Sequence, residues 1–155
     1  MFEKPCLVDI DTAAFDATDQ LAQQLAELAV LAEANHVRLI LCATVESPPT
    51  TVGDSVLRDR ILNVRKERAY EMLRELANAI DVSEAPELLI AVGKPFVTIS
   101  RLVVERDVGV VVSFAPDGLG HPVNSRLLHL VRKCPCAVWL WRAPLQARSA
   151  NRALQ

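Results

Sequence analysis

The stretch VGVVVSFAPDGLGHPVNSRLLHLVRKCPCAVWLWR, residues 108–142, decides the fold. An apolar run of strand length, Gly109 to Phe114, gives way to a loop rich in Pro, Gly and Asn. A helical pattern follows, then a second apolar run ending in Trp139, Leu140 and Trp141. Neither run alternates with polar residues, so both strands are expected to be covered on both faces, as parallel strands joined by a crossover helix are. The loop between them would face a helix amino terminus, where free backbone NH groups favour a phosphate or another anion.

Outward from this stretch the same alternation runs back to the start of the chain. Residues 5–10, PCLVDI, read as a first strand, broken only by Asp9 and ending at Asp11. Asp16 or Thr18 can cap a helix whose positions Leu21, Leu25, Leu28, Ala29 and Ala32 follow a 3.6-residue period, with a stop at Asn35. Val37 to Val45 reads as the second strand. A loop with two prolines separates it from a long amphipathic helix that begins at Asp54 and carries Leu57, Ile61, Val64, Leu73, Leu76 and Ile80. Glu87 to Val92 reads as the third strand. Gly93-Lys94-Pro95 then turns the chain and sets proline at a first helical position, and the next helix runs to Arg106. Strict alternation of strand and helix predicts an α/β domain, a Rossmann-like parallel sheet with right-handed crossovers and helices on both faces.

At 155 residues the chain is expected to form a single domain over 1–142. The tail 143–155, APLQARSANRALQ, has too few apolar residues to join a core and is expected to be mobile. Hydrophobic residues make up 51% and charged ones 23%, the formal net charge is -2 and the pI is near 5.9. That balance gives no electrostatic footprint for nucleic acid. The amino terminus lacks the basic start and apolar core of a signal peptide, and every apolar run is broken before about 18 residues, so a cytoplasmic protein with no membrane partner is expected.

The candidate site residues lie at strand ends, where open α/β sheets bind their ligands. Asp11 ends the first strand, where a carboxylate accepts hydrogen bonds from a sugar hydroxyl or base amine or caps the local turn. Asn124 and Ser125 fall in the first turn of the last helix, where they cap it or meet an anion. Gly118 and Gly120 permit the backbone angles of a phosphate-cradling loop and equally those of a simple turn. His121 and His129 stand near no serine, cysteine or acid that would complete a catalytic set, and read as surface or half-buried histidines. There is no Walker loop, nucleophile elbow or clustered His and carboxylate metal spacing.

The four cysteines, Cys6, Cys42, Cys134 and Cys136, show no paired zinc spacing and read as structural thiols. Cys134-Pro135-Cys136 is a C-x-C, not a C-x-x-C, and alternate residues of a strand point to opposite faces. Neither metal binding nor redox chemistry is expected of it.

Residues 126–142, RLLHLVRKCPCAVWLWR, resemble the closing helix and strand of the universal stress protein family. CLVDIDT at 6–12 is similar to the family's opening strand and acid, VRLILCATVE at 37–46 to its second strand, and VGKPFVTISRLVVE at 92–105 to its G-x-P turn and third helix. The resemblance implies an open five-stranded parallel sheet in the order 3-2-1-4-5 with four crossover helices and a cleft between strands one and four. It further implies an adenine nucleotide, ATP or AMP, held through Asp11, Thr44 at the adenine-side strand position, and Ser125. Phe114, Asp117 and Asn124 stand where the family's motif has glycines, and the loop is shorter than the motif. A like-charge contact with Asp117 at about 4 Å and an effective dielectric near 20 would cost about 4 kcal/mol, which disfavours ATP relative to AMP or adenosine.

Two classes of function follow. One is a dimeric stress-response interaction module acting on a protein client, its homodimer formed by antiparallel pairing of the last strand through Val138, Trp139, Leu140 and Trp141. The alternative is an ATP- or AMP-responsive sensor of the same family. An enzyme of the wider nucleotide-binding α/β class ranks third, since no nucleophile and base can be paired.

Overall fold

The computed structural model describes residues 3–11, 18–51, 53–114 and 125–141. Strands and helices alternate along the chain: β1 Cys6–Ile10, α1 Thr18–Ala34, β2 Leu39–Val45, α2 Ser55–Ala79, β3 Glu87–Val92, α3 Pro95–Glu105, β4 Val110–Phe114, α4 Ser125–Lys133 and β5 Ala137–Trp141. The five strands form one sheet in the order β3-β2-β1-β4-β5, every pairing parallel. Strand order reverses at β1, which lies between β2 and β4.

Side-chain alternation sorts the sheet into two cores. On one face Cys6, Val8, Ile10, Leu41, Ala43 and Val112 pack with Leu21, Leu25 and Leu28 of α1 and Leu73 and Leu76 of α2. On the other face Leu7, Ile40, Cys42 and Val111 meet Ile99, Leu102 and Val103 of α3 and Leu130 of α4. Two helices per face is the outcome of right-handed crossovers that start on opposite sides of β1.

The connections are set by local chemistry. Asp54 caps α2, its Oδ1 accepting from the backbone NH of Val56 at 2.9 Å and of Leu57 at 3.4 Å. Pro95 occupies the start of α3. Gly93 ahead of it has φ +141, and a Cβ there would lie 2.8 Å from Thr98 Oγ1, so both the conformation and the space call for glycine. The Gly93 NH also donates to the Val45 carbonyl at 3.0 Å, continuing the ladder past the end of β3. Arg132 and Lys133 close α4 with positive charge at its carboxyl end.

Three sequence expectations need correction. The second strand opens at Leu39, not Val37, because the Val37 NH is held by the Ala32 carbonyl in a turn where His36 takes φ 56. β5 is not covered on both faces: Trp139 is 49% and Leu140 37% exposed. It is an edge strand, and the face that carries Trp139 is the α1 and α2 face, whose helices pack over the other strands. Cys134 and Cys136 precede β5 instead of lying in it, so the alternation rule does not apply to them, and their sulfurs are 3.6 Å apart. The tail 143–155, the domain boundary before it and the cap residue Asp16 lie outside the described residues.

Candidate functional site

The carboxyl ends of β1 and β2 bring two of the expected site residues together. Ile10 partners Ala43, and Asp11 and Thr44 are the next residue along on each chain. Both belong to the face that packs on α3 and α4, because Leu7, Ile40 and Cys42 of the same alternation do. Asp11 is half-buried and engaged with other groups of the protein. Thr44 is buried at 9% exposure, and its hydroxyl has no hydrogen-bond partner among the described residues. A buried hydroxyl left unmatched costs about 1–3 kcal/mol, so such a group ordinarily finds a partner, in water or a ligand where the protein offers none.

Two polar residues on the same face were not singled out from the sequence. Asp9 is 3% exposed, in the interior of the central strand, and has interaction partners within the protein. Its β4 neighbour in register is Ser113, which is half-buried. The signal was available: Asp9 precedes Asp11 by two positions, and residues two apart on a strand share a face. Together Asp9, Ser113, Asp11 and Thr44 make a polar run that rises along the α3 and α4 face to the carboxyl edge of the sheet, at the point where strand order reverses.

Ser125 is the first residue of α4, which puts a helix amino terminus after the loop that leaves β4. Phe114, which stands where the family's motif has a glycine, packs against the core on the α1 and α2 side, with Trp141 beside the same cluster. Its bulk is therefore on the face away from Asp11 and Thr44. Gly118, Gly120, Asn124, Asp117 and His121 lie outside the described residues. His129 is exposed and its ring stacks on Phe96 with centroids 5.0 Å apart, joining α4 to α3.

Behind the site, Arg65 of α2 donates from Nη1 to the Glu46 carbonyl at 2.7 Å, holding the loop that leaves β2. A groove of about 760 Å³ lies at the other end of the sheet, bordered by Pro5, His36, Arg38 and Asp107. It sits at the amino ends of the strands, away from the polar run. No group of three or more His, Cys, Asp or Glu among the described residues is placed to hold a metal ion. No helix among them is long and apolar enough to cross a membrane.

The geometry has close counterparts among solved structures. A universal stress protein, UspA from Lactobacillus plantarum, superposes with a TM-score of 0.64, covering 90% of this chain and 99% of that one at 19% identity. This chain has the universal stress protein fold. A universal stress protein in complex with cAMP matches 92% of this chain and 100% of its own at TM-score 0.61 and 16% identity. The universal stress protein from Archaeoglobus fulgidus in complex with dAMP matches 90% and 98% at TM-score 0.55 and 15% identity. No protein-family model and no curated protein sequence matches the chain. Universal stress proteins with adenine mononucleotides bound thus share this sheet and its helix arrangement.

Proposed function

We propose that the protein is a universal stress protein-like regulatory module that takes an adenine mononucleotide or adenosine at the carboxyl ends of β1 and β2. The observation that carries this reading is the buried hydroxyl of Thr44, without a partner among the described residues, beside Asp11. The pair offers a carboxylate for ribose hydroxyls and a hydroxyl for an adenine-edge or ribose atom, while the α4 amino terminus at Ser125 offers backbone NH groups to a phosphate. AMP suits the site better than ATP because the β4–α4 loop carries Asp117 in place of a glycine. The complexes of similar structures with cAMP and dAMP support a ligand with a single phosphate.

The module works as a homodimer in this reading. β5 is an edge strand with Trp139 and Leu140 exposed, and such an edge is normally paired or covered. Antiparallel addition of a second β5 would continue the sheet across two copies. Nucleotide occupancy would then bias which client the stress-responsive dimer engages.

Calorimetric titration with ATP, AMP and adenosine tests the ligand. AMP or adenosine should bind in the micromolar range and ATP more weakly, and Asp11→Ala should weaken AMP by at least about tenfold, or about 1.4 kcal/mol. Micromolar ATP with no measurable AMP binding would refute the preference. No binding of any of the three would remove the site.

A further inference from the structure

Both cysteines of the C-x-C motif lie ahead of β5 rather than within it. α4 ends at Lys133, the Cys134 NH completes its last turn by donating to the Leu130 carbonyl at 2.9 Å, and the chain bends through Pro135 and Cys136 before β5 begins at Ala137. In that bend both side chains turn to the same side, and their sulfurs come within 3.6 Å. Both thiols are half-buried against the core beneath α3 and α4, beside Val138. We propose that Cys134 and Cys136 are a redox-responsive dithiol, which a low-molecular-weight disulfide of the glutathione class closes to an intrachain disulfide linking the end of α4 to the start of β5.

The chemistry balances within that pair of reactants. One cysteine, as thiolate, attacks a sulfur of the small disulfide, forming a mixed disulfide and expelling one small thiolate. The second cysteine, as thiolate, attacks the cysteine sulfur of the mixed disulfide, forming the intrachain bond and expelling the other small thiolate. Two cysteine thiols are oxidised by two electrons, and the small disulfide leaves as two thiols that carry the two protons.

Closure needs the sulfurs to approach from 3.6 Å to about 2.05 Å. Pro135 fixes one backbone angle between the two cysteines and so limits what the ring closure must order. Burial and the neighbouring Cys134 push the Cys136 thiol up to about 11, so that thiol rests protonated near neutral pH. Reaction is correspondingly slow, which suits a response to sustained oxidation over a rapid peroxide sensor.

The test uses the full chain equilibrated in glutathione buffers of stepped oxidised fraction, quenched by alkylation and digested with trypsin. Cleavage after Lys133 and Arg142 isolates CPCAVWLWR, which holds both cysteines and neither of the other two. In oxidising buffer this peptide should appear unalkylated and lighter by two hydrogens, and should regain both alkylation sites after dithiothreitol. Half-conversion in the folded chain should need at least about tenfold less oxidised glutathione than in the free CPCAVWLWR peptide, because the fold holds the sulfurs together. Cys136→Ser should instead trap one glutathione on Cys134. Two alkyl groups or two glutathiones on the wild-type peptide at every ratio would overturn the proposal, as would a midpoint equal to that of the free peptide.

Discussion

The Arg65 guanidinium donates to the Glu46 carbonyl at 2.7 Å, tying the middle of α2 to the loop that leaves β2 directly after Thr44 and Val45. That loop contains Pro48 and Pro49 and runs to the α2 cap at Asp54, so the charged donor holds a segment that lies outside the helices and strands. Arg65→Met should cost about 1 kcal/mol of stability, seen as a lower urea midpoint. It should also speed proteolysis within residues 46–53. An unchanged cleavage pattern would mean that the loop is held by its own turns.

Thr44→Val separates the two accounts of the buried hydroxyl. If no protein group satisfies it, the substitution keeps the shape, removes an unmatched polar atom and should leave the ligand-free protein as stable or up to about 1 kcal/mol more stable. The same change should weaken AMP in a calorimetric titration. Destabilisation of the ligand-free protein would show instead that Thr44 is bonded within the fold.

Cys6 gives the protein an alkaline weakness. Burial foremost, then the charge of Cys136, raises its thiol from 9.0 to about 12 in the folded state. A pKa raised on folding means that the stabilisation is complete below pH 9 and is lost as pH climbs toward 12, since the unfolded chain ionises first. Between pH 8 and pH 11 the loss attributable to this group should be about 2–3 kcal/mol. Cys6→Ala should be less stable at neutral pH yet flatter over that window, which denaturant melts at stepped pH would record. Parallel slopes for the two proteins would place the weakness elsewhere.

Trp139→Lys places a charge on a side chain that is 49% exposed at the sheet edge. The thermal midpoint of the isolated chain should move little, while sedimentation at micromolar concentration should shift from dimer to monomer. A wild-type monomer, or a dimer that survives the lysine, would move the interface away from β5.

The fold was legible wherever punctuation was strong. Pro86 and the Gly93-Lys94-Pro95 turn bracket β3 at Glu87–Val92 and start α3 at Pro95, as the sequence predicts. Strand order was not legible from periodicity, which shows where strands are but not which are neighbours; only the resemblance carried it. The pattern makes β2 two residues too long because apolar Val37 with Arg38 continues into the run without a break, while a positive φ at His36 decides the turn. Asp11 and Thr44 were legible as strand ends, but the unmatched hydroxyl depends on the packing of other elements. The convergence of Cys134 and Cys136 was hidden because a strand rule was extended into the bend before the strand.

The position of β1 also governs the order in which the chain can become whole. Cys6 pairs with Leu39 on one side and with Val110 on the other, so β1, made before both of its neighbours, is flanked early on one edge and very late on the other. Until β4 has been synthesised, β3, β2 and β1 form at most a three-stranded half whose boundary is β1, a strand buried throughout in the finished fold. Every pairing needs a crossover helix in place, so loop closure precedes each contact and assembly is slow by topology. During that interval the naked β1 edge, CLVDI, is the segment most able to recruit a foreign strand, and the two charges at Asp9 and Asp11 are its built-in deterrent.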